Sequence, residues 1–140
     1  MRIFIVLVTV TIPSATMFPL SRNGVRCGLE DDVFAAVEEY HRQLNVASMT
    51  VDCGLVARAE DSMRKPNTFA LAPGEHLFLR SLRAGDFTTH EKVLKNLEQL
   101  PKSKIKELSP VNYGCTEMWK MLVPSSGTFH SIIVCIYRTE

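Results

Sequence analysis

No stretch of the 140-residue chain approaches the roughly 20 consecutive apolar residues that a membrane-spanning helix needs. An excess of charge of one sign is missing too. Sixteen Lys and Arg stand against 15 Asp and Glu, a net charge of +1, which excludes a nucleic-acid binder of the strongly basic kind. The phosphate-cradling patterns G-x-x-x-x-G-K-S/T and G-x-G-x-x-G are absent, as is H-E-x-x-H. No serine sits in a G-x-S-x-G elbow. No C-x-x-C pair occurs, and no His lies at metal-ligand spacing from a Cys, so no metal or cofactor is expected. Asn67-Thr68-Phe69 fails the N-glycosylation pattern at its third position. There is no internal repeat and no low-complexity tract. These absences point away from an enzyme.

With 46% apolar and 22% charged residues, the chain can bury one core. Its first residues have the order of an export signal. Met1-Arg2 gives a short basic end, Ile3 to Ile12 an apolar middle, and Pro13 to Thr16 a small-residue exit. Residues 1–20 are therefore read as a secretory signal and 21–140 as one domain, located outside the cell. The same Ile-Phe-Ile-Val-Leu-Val run also has the β propensity of a buried strand. Cys27, Cys53, Cys115 and Cys135 all lie beyond it, and an even count in a short exported chain reads as two disulfides. Spacing leaves all three connectivities open.

Helical periodicity is clearest from about Asp31 to Asn45, where Val33, Val37, Tyr40 and Leu44 share a stripe that Phe34 and His41 widen. Asp31 and Asp32 suit its start. Met49 to Cys53 reads as extended. A second helix is expected from Leu55 to about Arg64, with Asp52 as its cap and Pro66-Asn67 beyond its end. Thr68 to Ser81 stays undecided, holding the Pro73-Gly74 turn and the apolar Leu77-Phe78-Leu79. Thr88 and Glu91 have capping-box spacing before a helix carrying Val93, Leu94, Leu97 and Leu100. Lys102, Lys104 and Lys106 read as a solvated helix end and loop. Asn112 to Thr116 and Met118 to Val123 read as extended, Pro124 to Gly127 as a turn and Phe129 to Tyr137 as a β-rich run, a hairpin with Cys115 near its start and Cys135 near its end. Two cysteines so placed could come within disulfide reach. Helices first and a β-hairpin last give an α+β chain.

Few residues offer chemistry. His41, Glu75 and His76 would make a pocket if the fold gathered them. His90 is expected in an exposed first helical turn, and His130 in the last strand. Met118, Trp119 and Met121 are the candidate binding surface, aromatic and Met side chains being common anchors.

Several phrases, in order, resemble one family. Tyr40-His41-Arg42-Gln43-Leu44 looks like a degraded "H-N-x-x-R" helix of the CAP superfamily, the cysteine-rich secretory, antigen 5 and pathogenesis-related proteins. Val51-Asp52-Cys53-Gly54-Leu55-Val56-Ala57-Arg58-Ala59 is similar to the "Y-D-C-x-L-E-x-x-A" stretch of nematode activation-associated secreted proteins. Gly74-Glu75-His76-Leu77 resembles "G-E-N-L/I", and Tyr113-Gly114-Cys115 and Val134-Cys135-Ile136-Tyr137 resemble the "x-G-C" and "V-C-x-Y" strands. The resemblance implies an α-β-α sandwich with disulfides Cys115–Cys135 and Cys27–Cys53. It also implies a shortened member, because the interval from Glu75 to Cys115 lacks the family's long middle with its second Glu and "H-F-T-Q". Gly85-Asp86-Phe87-Thr88 is similar to "G-H-F-T" but carries Asp86 in place of the His. Of the family's cavity of two His and two Glu, only Glu75 has a counterpart here. The function implied is that of a secreted, non-enzymatic binding protein, a parasite effector acting on host molecules through an unknown protein partner. The alternatives are a carrier of a lipid such as a sterol or fatty acid, with Met118, Trp119, Met121 and Leu122 lining its groove, and a protease inhibitor presenting Pro124 to Gly127.

Overall fold

The computed structural model describes residues 26–46, 49–83, 89–123 and 128–139. The expected signal at 1–20, the Thr88 cap, the Met121 side chain and the turn 124–127 lie outside the described residues. The elements run α1 (Asp31–Leu44), β1 (Thr50–Val51), α2 (Cys53–Arg64), β2 (Glu75–Arg83), α3 (Thr89–Leu97), α4 (Lys102–Leu108), β3 (Asn112–Val123) and β4 (Thr128–Arg138).

Of the stripe expected for α1, Val33, Val37, Tyr40, His41 and Leu44 are buried, while Phe34 is only half-buried and Ala36 takes the place beside them. Its N-cap is Glu30, which makes no side-chain cap bond, so Asp31 and Asp32 are first-turn charges at the positive end of the helix, Asp31 also pairing with Arg26 at 2.5 Å. Asn45 ends the helix in the left-handed region at φ 57°, donating its N–H to the Arg42 carbonyl. For α2 the expected cap holds, and the Asp52 carboxylate accepts from the Gly54 N–H at 2.7 Å. This helix starts at Cys53, two residues before the expected Leu55.

The four strands form one sheet in the order β1-β3-β4-β2. β1 runs parallel to β3, while β2 and β3 flank β4 antiparallel. Strand side chains alternate between faces, and both faces are covered. Tyr113, Cys115, Ile133, Cys135, Tyr137 and Phe78 pack beneath α1, α3 and α4, with Val93, Leu97, Leu100 and Ile105 above them. Leu77, Ile132, Val134 and Ile136 pack against Leu55 and Ala59 of α2. The result is a sheet between two helical layers.

Helices do not all come first, contrary to expectation. The undecided segment is the nine-residue strand β2, paired with β4 from Glu75↔Arg138 to Arg83↔His130. Leu77 and Phe78 face opposite layers and are each half-buried, while Leu79 stays exposed, so the apolar run lacks the alternation that marks a strand with one buried face. The lysine segment is also a correction. It forms α4, anchored by buried Ile105 with its lysines exposed. One buried residue in seven gives too little periodicity to recognise.

Both disulfides join the implied pairs. Cys115 and Cys135 lie directly opposite on β3 and β4, with Cα atoms 4.1 Å apart. Cys27, at φ 59° in the turn before α1, is bonded to Cys53 at the first residue of α2. Gly114 brings α2 against the sheet. A Cβ there would lie 2.4 Å from the Val56 nitrogen and 2.5 Å from the Leu55 carbonyl carbon. Only a residue without a side chain permits that approach.

Candidate functional site

His41 sits in the last turn of α1 and points inward, 6% exposed. Its Nδ1 is 2.7 Å from the Val37 carbonyl oxygen one turn earlier, so Nδ1 carries the proton and donates. That leaves Nε2 to accept from the Tyr137 hydroxyl, also at 2.7 Å. The ring lies flat on Tyr113, with centroids 3.7 Å apart and planes 11° from parallel. Nε2 is 4.0 Å from the Cys115 sulfur. Burial pushes the imidazole pKa down to about 4, against a smaller opposing effect of the Val37 bond. Burial likewise raises Tyr40 and Tyr113 to about 12 and Tyr137 well above the phenol range. The cluster is therefore neutral near pH 7. A general base needs a reachable lone pair and a pKa near the working pH. The His41 lone pair is already taken and is buried.

The three residues expected to share a pocket do not. Glu75 and His76 are neighbours on β2 and so face opposite sides of the sheet. Arg58 of α2 grips Glu75 from Nε, at 3.1 and 2.8 Å from the two carboxylate oxygens, and from Nη2, at 2.7 Å from Oε1. The Ala72 N–H adds a fourth bond at 2.9 Å. Burial alone would raise this carboxyl, but Arg58 and the Ala72 amide outweigh it and hold the pKa below the usual range. Nearly every acceptor position of Glu75 is used in closing the loop before β2. His41 borders an open groove of about 470 Å³ with Glu38, Arg42, Val46, Met49 and Tyr113. His76 lines a different groove of about 500 Å³, with Phe78, Lys104, Glu107 and Leu108. Glu75 lines neither. His90 is half-exposed, its Nε2 3.4 Å from the Glu39 carboxylate of α1.

The expected binding surface is also divided. Met118 pairs with Ile132 on the α2 side, whereas Trp119 pairs with Ser131 on the other. Consecutive strand residues cannot line one groove. Trp119 is 42% exposed, and the Lys92 ammonium of α3 lies 4.2 Å from its ring centroid. Beneath it, Ser131 Oγ donates to Glu117 at 2.5 Å, and Asn96 donates to the Ser131 carbonyl at 2.7 Å. Burial raises the Glu117 pKa above the usual carboxylate value, partly opposed by Ser131 and Lys92.

Sequence reasoning missed Arg58, Lys92 and Asn96. Arg58 and Glu75 are 17 residues apart, and no local pattern joins them. Asn96 leaves a faint signal, a polar residue on the apolar stripe of α3 between Val93 and Leu97.

A sheet between two helical layers, closed by a disulfide-linked C-terminal hairpin, defines a distant CAP-like fold of α+β class. No family model matches the chain, and no curated protein matches it in sequence. Among solved structures, manganese-bound Ac-ASP-7, a nematode CAP-superfamily protein, is similar with a TM-score of 0.59 at 16% identity. The similarity covers 81% of this chain and 72% of that one. Manganese takes hard oxygen ligands. Among the described residues, the group with three potential ligand atoms close together is His41, Cys115 and Cys135, and its two sulfurs are bonded to each other. This donor set does not fit manganese.

Proposed function

We propose that the chain is a secreted, non-catalytic binding protein that engages a protein partner through Trp119. The half-exposed indole, steadied by Lys92, carries this reading. Aromatic side chains held in place on a rigid surface are the usual anchors of interfaces, and the hairpin bearing Trp119 is cross-linked. Two disulfides suit an oxidising compartment, and among the described residues no helix is long and apolar enough to cross a membrane. The CAP-like fold and the absent catalytic motifs support touch over turnover. An effector acting on host molecules is the finer form of this proposal.

The test is a binding comparison on extracellular material from candidate host tissue. Trp119→Ala should lose a partner that the wild type and Leu71→Ala retain. Leu71 is an exposed apolar residue elsewhere, 46% accessible. Losing the cation–π contact should cost only about 0.5–1 kcal/mol of stability, so a folded variant that binds as well as wild type refutes the reading. N-terminal sequencing of exported chain checks the signal at 1–20. The lipid alternative has less support, since Met118 and Trp119 face apart.

A further inference from the structure

We propose that His41, Cys115 and Cys135 form a zinc site that comes into being when the Cys115–Cys135 disulfide is reduced. One ligand atom from each residue lies within 4.8 Å of the others, and all three residues are buried. The histidine is oriented as a ligand should be. Its Nδ1–H is spent on the Val37 carbonyl, which fixes the tautomer and turns the Nε2 lone pair toward Tyr137 and the Cys115 sulfur, and zinc would take that lone pair in place of the Tyr137 hydroxyl. Reduction leaves both cysteines in place, because they face each other between the ladder pairs Tyr113↔Tyr137 and Glu117↔Ile133. One imidazole and two thiolates are a zinc donor set with a fourth position open. Two thiolates also cancel the charge of the ion, which suits a site where an uncompensated charge would be costly.

The chemistry balances with a dithiol as reductant. It closes to its own disulfide, and its two hydrogens leave the cysteines as thiols. Zinc then replaces both thiol protons, releasing two protons per ion. Oxygen ligands are absent from the trio, so magnesium, calcium and manganese should compete poorly.

The experiment uses the full exported chain, reduced without air by a water-soluble phosphine, which does not compete for zinc as a dithiol would. The phosphine takes oxygen from water and becomes its oxide, leaving the same two thiols. Titration with Co²⁺ should give one ion per chain, with thiolate-to-cobalt charge transfer and tetrahedral d–d absorption that zinc abolishes. The Cys27→Ser, Cys53→Ser double variant should keep this signal, and the Cys115→Ser, Cys135→Ser double variant should lose it. His41→Ala should weaken Co²⁺ binding at least about tenfold. X-ray absorption at the zinc edge of the reduced wild-type chain, which depends on no variant folding, should count two sulfurs and an imidazole. A signal in unreduced protein, a signal that follows Cys27 and Cys53, or a count without sulfur or imidazole overturns the proposal.

Discussion

The two faces of the sheet solve the same problem in different ways. Beneath α1, α3 and α4, the polar groups of the core are uncharged, His41 on Tyr137 and Asn96 on the Ser131 carbonyl, with the ionisable Lys92 and Glu117 beside Trp119. On the α2 side they are charged and paired at the rim. Arg58 holds Glu75, and Arg138 bridges Asp52 and Asn112 at 2.5 and 2.7 Å. Arg58 and Arg138 remain 35% and 39% exposed along their side chains. Under α1 and α3, His41 and Asn96 are neutral and hydrogen-bonded. On the α2 side the buried Glu75 carboxylate persists because Arg58, which keeps part of its hydration, pairs with it. Each helical layer is attached accordingly, one by a wide apolar contact, the other by a smaller apolar cluster, a bare glycine and two ion pairs.

The sharpest way to break this contrast is Gly114→Ala. The new Cβ would overlap the backbone of α2, which cannot yield as a side chain can. A loss of about 3 kcal/mol or more is expected, read as a lowered urea midpoint with an unchanged m-value. The neutral face has its own test in acid. His41 titrates near 6.5 when unfolded and at about 4 when folded, so between these values the unfolded chain binds the extra proton. Stability therefore falls as pH drops from about 6.5 to about 4, by about 3 kcal/mol from this residue. His41→Gln should flatten that part of the pH profile of thermal unfolding, whatever it does to stability at pH 7. A slope as steep as in wild type would show that His41 does not set it. The smallest effect is at the rim. Glu75→Gln keeps the shape but removes the charge facing Arg58, and a loss of about 1–2 kcal/mol is expected. The wild-type contribution is greatest above the ordinary Glu pKa and fades as acid protonates the carboxylate, because its folded pKa is lowered. Urea unfolding of both proteins at pH 7 and pH 3 should show the gap closing.

Much of this architecture was legible in the chain because it rests on local physics. The α1 stripe, the Asp52 cap and the extended C-terminal hairpin follow from spacing and side-chain type, which neighbours along the chain decide. β2 was not legible. Its Leu77-Phe78-Leu79 run fits a short helix or a doubly buried strand equally well, and only pairing with β4 along nine residues chooses. α4 escaped because Ile105 is its only buried residue. The candidate pocket failed for a simple geometric reason. Glu75 and His76 were treated as one group although strand alternation separates adjacent side chains, and that alternation could be applied only once the segment was known to be a strand.

By itself, the sequence determined the apolar stripe of the first helix and the cap of the second, that four cysteines follow an apolar start, and that the common catalytic motifs are missing, since each depends on residues close together in the chain. Only the tertiary structure decided that His41 would meet Tyr137 and the Cys115–Cys135 bridge, that Arg58 would take Glu75, and that Trp119 would stay half in water. Those outcomes depend on which layer covers which sheet face. That choice belongs to long-range packing, where contact, burial and the exclusion of water are settled together.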